Sequence, residues 1–153
     1  MPSKLLLAID RGDASVTAVD FTIGLATTSS CSVHVVHIRE MPISIRVPPL
    51  ETMEEAYDLV IDALRRLHDA GIHADGEAHS GRETRVARQI VDEATRTRCD
   101  AIILGSLRRR GIDALSGRGT RERVLKMSPL PVIVTPPTLS TGRSAMASMR
   151  LRR

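Results

Sequence analysis

The chain has 153 residues, enough for one domain with a sizeable core, and its 42% hydrophobic and 26% charged residues are those of an ordinary globular protein. Phe21 and Tyr57 are its only aromatic residues, so the core must be aliphatic, and the stacking platforms used on single-stranded nucleic acids are excluded. The net charge of +4 comes entirely from Arg143, Arg150, Arg152 and Arg153; the rest of the chain is neutral, which argues against a nucleic-acid-binding domain.

Lys4 to Ile9 is a continuous apolar run, as expected of a strand buried on both faces. It stops at once in Asp10-Arg11-Gly12-Asp13, so no signal peptide is expected, and no run reaches membrane-spanning length. A helix opens at Ala14 or Ser15, with Val16, Val19, Ile23 and Ala26 on its apolar face, and closes at Ser29-Ser30. Ser32 to Ile38 reads as a second strand. Its His34 and His37, three apart, point to opposite faces and cannot share a metal; each reads as a partly exposed or hydrogen-bonded strand residue. Cys31 and Cys99 stand far apart, with no Cys-x-x-Cys and no Cys/His cluster, which fits free thiols in a reducing cytoplasm.

Three prolines between Met41 and Pro49 predict an irregular loop. Glu51 to Ala70 is a long helix with Val60, Ala63, Leu64 and Leu67 as its stripe and Gly71 as its stop. His68, near its C-terminus, is only mildly favoured there as a cation. Ile72 to His79 alternates like an edge strand, with Ile72, Ala74, Gly76 and Ala78 on one side, and Gly81 breaks it. Thr84 to Arg96 is helical, with Val86, Ala87, Ile90, Val91 and Ala94 facing inward; Ala101 to Leu104 is a fourth strand. A helix near 121–127, the turn Pro129-Leu130-Pro131 and a last strand from Val132 to Thr135 complete a domain of residues 1–137. Residues 138–153 are small, polar and basic without a stripe, so a disordered tail, dispensable for folding, is expected there.

Between the fourth strand and the last helix lies GSLRRRGIDALSGRGTRERV, residues 105–124. Strand, glycine-rich loop and helix start make the geometry in which free backbone N–H groups hold an anion, most often a phosphate. Gly105, Gly111, Gly117 and Gly119 permit close backbone approach, Thr120 offers a cap or a hydroxyl donor, and arginines crowd the segment. A solvated connection whose charges serve solubility is the plain alternative. The alternation of strands and helices implies a parallel sheet with helices on both faces, whose ligands sit beyond the carboxyl ends of the strands where the strand order reverses. Ile9-Asp10 and Leu104-Gly105 would flank that crevice.

In this combination and order the chain resembles the universal stress protein family over residues 4–135. The resemblance rests on a first strand ending in Asp, VHVVHI, GRETRVARQIVDEA, IILGS and ERVLKMSPLPVIVTPP. It implies an α/β fold of the adenine nucleotide alpha hydrolase-like type: a doubly wound, five-stranded parallel sheet of order 3-2-1-4-5 with two helices on each face. It also implies a homodimer in which the last strand, Val132 to Val134, pairs with its copy, covering an apolar edge that a monomer would expose. One branch of that family binds ATP through a loop of the form G-x-x-G-x9-G-[S/T]; another lacks the motif and binds no nucleotide. Here Gly105 matches the first glycine, Arg108 stands in place of the second, and Gly119-Thr120 follows one residue later than the spacing asks, where strict spacing lands on Arg118.

The resemblance implies a nucleotide site of Ile9, Asp10, Ile38, Leu104, Gly105, Arg108, Gly119 and Thr120. Ile9 and Ile38 would line the adenine, and Asp10 would sit near the ribose, the base or a metal. Gly119 and Thr120 would meet phosphate. ATP and Mg2+ are the cofactors this implies. Arginine at 108 adds bulk where glycine lets a backbone approach, and adds a charge-assisted phosphate donor; the two effects oppose each other. For Asp10 a turn or cap role stands beside metal or nucleotide contact. No Ser/His/Asp triad and no Gly-Lys-Ser/Thr P-loop is present, so no enzyme is expected. Three functions remain: a nucleotide-binding regulatory module, a module with a degenerate loop acting through protein partners, and a nucleic-acid-associated protein using the tail. The missing aromatics and neutral body weigh against the third.

Overall fold

A computed structural model describes residues 3–105 and 119–136. Five strands form one parallel sheet in the order β3-β2-β1-β4-β5: β1 Lys4–Ile9, β2 Ser32–Met41, β3 Ala74–Arg82, β4 Ala101–Leu104 and β5 Val132–Val134. The connecting helices are α1 Asp13–Ser29, α2 Met53–Asp69, α3 Val86–Arg96 and α4 Thr120–Met127. This is the doubly wound α/β sheet that the alternation and the resemblance imply. The strand order reverses between β1 and β4, because the chain leaves β1 for β2 and returns from β3 to β4.

The apolar strands are buried on both faces because each face carries two helices. Leu5, Leu7, Val33, Val35 and Ile103 pack with residues of α1 and α2, including Val19, Val60 and Leu67. Leu6, Ala8, Val36, Ile102 and Leu104 pack with α3 and with Val124 of α4. The core is aliphatic throughout, as the composition requires. Gly76 sets how close α2 comes: a Cβ there would lie 2.8 Å from both the Val35 carbonyl and Val60 Cγ1, so a larger residue would push the helix away.

Four expectations are corrected. Val16 faces solvent at 53% exposure; the inward face of α1 is Ala18, Val19, Thr22 and Ala26, one step around the helix. The first turn of α2 begins at Met53, because Thr52 and Glu55 form a reciprocal capping box that leaves Glu51 outside the helix. Gly81 does not break β3. Strand β2 runs on to Met41, pairing Glu40 with Gly81 and Met41 with Arg82, so the ladder carries the glycine. A 3-10 turn at Glu83–Arg85 precedes α3, which therefore starts at Val86 rather than Thr84. The glycine-rich loop with Arg108 and Arg118, and residues 138–153, lie outside the described residues.

Candidate functional site

At the reversal point the carboxyl ends of β1 and β4 diverge, and a cleft opens over them. Ile9, Asp10, Ile38, Leu104, Gly105 and Thr120 line it, with Glu40 and Arg121 among the further wall residues, and it opens to solvent. Six of the eight expected site residues thus meet in one place. They do so because each lies toward the carboxyl end of a strand, directly after one, or at the start of a helix, at the same edge of the sheet. Gly119 adjoins them as the buried N-cap of α4. Arg108 lies outside the described residues.

The first turn of α4 is what makes this end of the cleft suited to an anion. Gly119 has no side chain to cap the helix, and no side-chain cap hydrogen bond is made there among the described residues, so the first backbone N–H groups lack the usual capping acceptor. The Thr120 hydroxyl makes no hydrogen bond among the described residues. Arg121 adds a guanidinium to the same wall, 2.9 Å from Glu122. Helix dipole, N–H groups, hydroxyl and arginine all favour negative charge there.

Asp10 has two duties available, one on each oxygen. Its Oδ1 accepts from the Gly12 N–H at 2.7 Å and the Ser15 hydroxyl at 2.9 Å, which fixes the turn into α1. The Asp10 N–H in turn donates to Ser15 Oγ at 2.7 Å. Oδ2 takes part in no hydrogen bond among the described residues, so the half-buried carboxylate, a wall residue of the cleft, keeps one acceptor unused.

A second hollow shares Asp10, Ile38 and Glu40 with the first and continues it toward α2; its other walls are Arg11, Gly12, His37, Leu50 and Glu51. Of the two readings of the strand histidines, partly exposed or hydrogen-bonded, the second holds for His37. His37 is buried and held at both ring nitrogens: Nδ1 lies 2.8 Å from the Ile9 carbonyl, and Nε2 lies 2.6 Å from Glu51 Oε1. Arg11 donates to the Leu50 carbonyl and ties the β1–α1 turn to the segment before α2. Sequence reasoning missed Glu51 by assigning it to the helix; the Thr52-x-x-Glu55 capping box was the available signal that it precedes the helix. Glu40 and Leu50 were also missed, and no motif marks them; Arg121 stood among the arginines that crowd the glycine-rich segment but was not named as a site residue.

His34 points to the opposite face, as the three-residue spacing requires. It is likewise buried, and it is held by Asp75 at 2.9 Å through Nδ1 and by Glu93 at 2.8 Å through Nε2. Burial pushes the Glu93 carboxyl up, but the Arg96 and His34 hydrogen bonds outweigh it and bring the pKa down to about 2. Burial also raises Asp75, and the His34 contact together with Lys4 leaves it below its ordinary value. His34, Glu77 and Glu93 lie close enough to share an ion. Arg96 already occupies that place, reaching Glu93 at 2.6 Å and Glu77 at 2.9 Å, so the cluster is a closed ion-pair network.

The sequence profile of the universal stress protein family matches residues 1–136. A search of curated sequences finds no match. Among solved structures, a universal stress family protein from Burkholderia pseudomallei aligns over 88% of this chain and 96% of its own, at 21% identity and TM-score 0.70. The universal stress protein from Archaeoglobus fulgidus in complex with dAMP aligns over 88% and 98%, at 23% identity and TM-score 0.64. An Arabidopsis thaliana family member with AMP bound aligns over 92% and 95%, at 18% identity and TM-score 0.61.

Proposed function

The chain belongs to the universal stress protein family, and from that premise we infer that it is a regulatory module, not an enzyme, binding ATP or a related adenine nucleotide in the cleft over β1 and β4. The observation that carries this reading is the uncapped N-terminus of α4, aimed at a cleft whose other walls are Ile9, Ile38 and Asp10. Phosphate sits against Gly105, Gly119 and Thr120, with Arg108 supplying a charged contact where a glycine is missing. The adenine lies on Ile9 and Ile38. The free Asp10 oxygen meets the ribose, the base or a magnesium ion carried by the phosphates. That related proteins of known structure hold dAMP and AMP supports the choice of an adenine nucleotide.

The test is calorimetric titration of the full chain with ATP and magnesium, repeated with AMP. Saturable binding that weakens with salt is expected, because guanidinium contacts are screened more than backbone donors. One observation favours a second reading: the arginine at 108 where the family's nucleotide-binding loop has glycine. If the wild type fails to bind at millimolar nucleotide and Arg108→Gly binds, the loop is degenerate and the module acts through protein partners.

The module works as a homodimer in a reducing cytoplasm. Strand β5 is an edge of the sheet and its three residues are only half-buried, so Val132–Val134 offers an apolar ladder to a second copy. Ile133→Glu should give monomers in sedimentation; an unchanged dimer would put the interface elsewhere. Cys31 and Cys99 are buried free thiols, consistent with that compartment. No helix of the described residues is long and apolar enough to cross a membrane.

A further inference from the structure

The hollow next to the cleft holds a buried acid with half its hydrogen-bonding capacity unused. The Glu51 side chain is 6% exposed, and its Oε2 has no hydrogen-bond partner among the described residues. Such an oxygen costs free energy unless something donates to it. Its state is narrowed by His37. Nδ1 faces a carbonyl, which can only accept, so Nδ1 carries a proton and the ring is held in one orientation. One further proton lies in the 2.6 Å contact between Nε2 and Oε1. Whichever of those two atoms holds it, Oε2 remains an acceptor. Glu51, a wall residue of the hollow, therefore carries a buried acceptor that lacks a donor among the described residues.

The charges decide which end of a nucleotide comes here. Asp10 and Glu51 line the hollow, and the basic residue among its described walls, Arg11, is already committed to the Leu50 carbonyl. Phosphate is repelled here and favoured at α4 on the other side of Ile38. Leu50 stands at the mouth of the hollow at 81% exposure, an apolar wall that a flat ring would cover.

We propose that Glu51, oriented by His37, is the specificity-determining residue of the site: its Oε2 accepts a hydrogen bond from the exocyclic 6-amino group of the purine, with the ring lying across Ile38 toward Leu50. This rests on the adenine-nucleotide reading above and adds the group by which the base is recognised. The carboxylate is a positioning and recognition group only, and no chemistry is assigned to it.

The test compares AMP with purine riboside 5′-monophosphate, which lacks the amine, by calorimetry on the full chain. The wild type should prefer AMP by about ten-fold or more, the usual worth of a hydrogen bond to a charged partner. Glu51→Gln keeps a neutral acceptor and should reduce the preference several-fold. Glu51→Met keeps the bulk, removes the acceptor and should bring the ratio to about one. Circular dichroism melts check that each variant folds; if the Met variant does not, the wild-type ratio and the Gln variant decide. A wild-type ratio near one overturns the proposal and leaves the nucleotide site intact. So does a ratio that the Glu51 variants do not change, since a bridging water would then satisfy Oε2. Failure of the wild type to bind AMP at all overturns the nucleotide reading, and this proposal with it.

Discussion

His34 and His37 stand three residues apart on β2, on opposite faces, both buried and both joined to a glutamate that is itself buried. Their surroundings differ in one respect. At His34 both ring nitrogens meet carboxylates, and both oxygens of Glu93 are taken, Oε1 by His34 and Arg96 and Oε2 by Arg96 Nε at 3.1 Å. At His37 the ring is equally satisfied, but its glutamate ends on an oxygen that nothing in the described chain fills. A closed polar network staples β2, β3 and α3 together. An open one, placed beside a cleft, keeps one acceptor for a ligand. Two buried His–Glu pairs on one strand thus serve different ends, and the difference is read from atom-by-atom satisfaction rather than from residue type.

The largest expected effect breaks the closed network. Glu93→Ala leaves a buried imidazole N–H without an acceptor and Arg96 without its main partner, and should cost about 3 kcal/mol in chemical unfolding, within the range for breaking a buried pair. The loss should depend on pH in a stated direction. Glu93 and Asp75 both titrate below their ordinary values in the folded chain. Their contribution is therefore fully present above the unfolded-state values and is lost as pH falls through the folded ones. For Glu93 that interval runs from the ordinary 4.5 down to about 2. The gap between wild type and Glu93→Ala should hold steady above it and narrow inside it. A gap independent of acid would mean the network adds no charge-dependent stability.

The same substitution type in the open pair should cost less. Glu51→Gln lets a neutral His37 accept from the amide through Nε2 while Nδ1 still donates to Ile9, and Oε2 had no partner to lose. A stability change of under about 1 kcal/mol is expected, small for a buried acid. A loss as large as that of Glu93→Ala would show that both pairs are structural.

The inner strands were legible because apolar runs such as Leu5-Leu6-Leu7 and Ile102-Ile103-Leu104 are unambiguous when both faces are buried, and β3 because it alternates like an edge strand. The end of β3 was not, because whether Gly81 ends a strand depends on how far its neighbour β2 extends to pair with it. That Asp10, Leu104, Gly105 and Thr120 line one cleft was legible because topology alone brings those chain positions to one edge. Glu51 was not. Its contact with His37 spans 14 residues and depends on the path of the proline-containing segment between them, which no local pattern encodes. The burial of His34 and His37 was missed for a related reason: a histidine in an apolar strand is tolerated inside only if a distant carboxylate arrives to pair it.

The smallest effect tests the other end of the cleft. Thr120 is the first residue of α4, Gly119 caps that helix without a side chain, and the Thr120 hydroxyl has no partner among the described residues. Thr120→Ala therefore removes nothing the fold uses, and alanine is the better helix former, so the melting temperature should stay level or rise slightly. If the hydroxyl donates to a phosphate oxygen, affinity for ATP should fall by about 1 kcal/mol, roughly five-fold. Stability and affinity then move apart in one variant. A drop in both would make Thr120 a structural cap, and a drop in neither would remove its hydroxyl from the site while leaving the N–H groups of α4 as the anion contact.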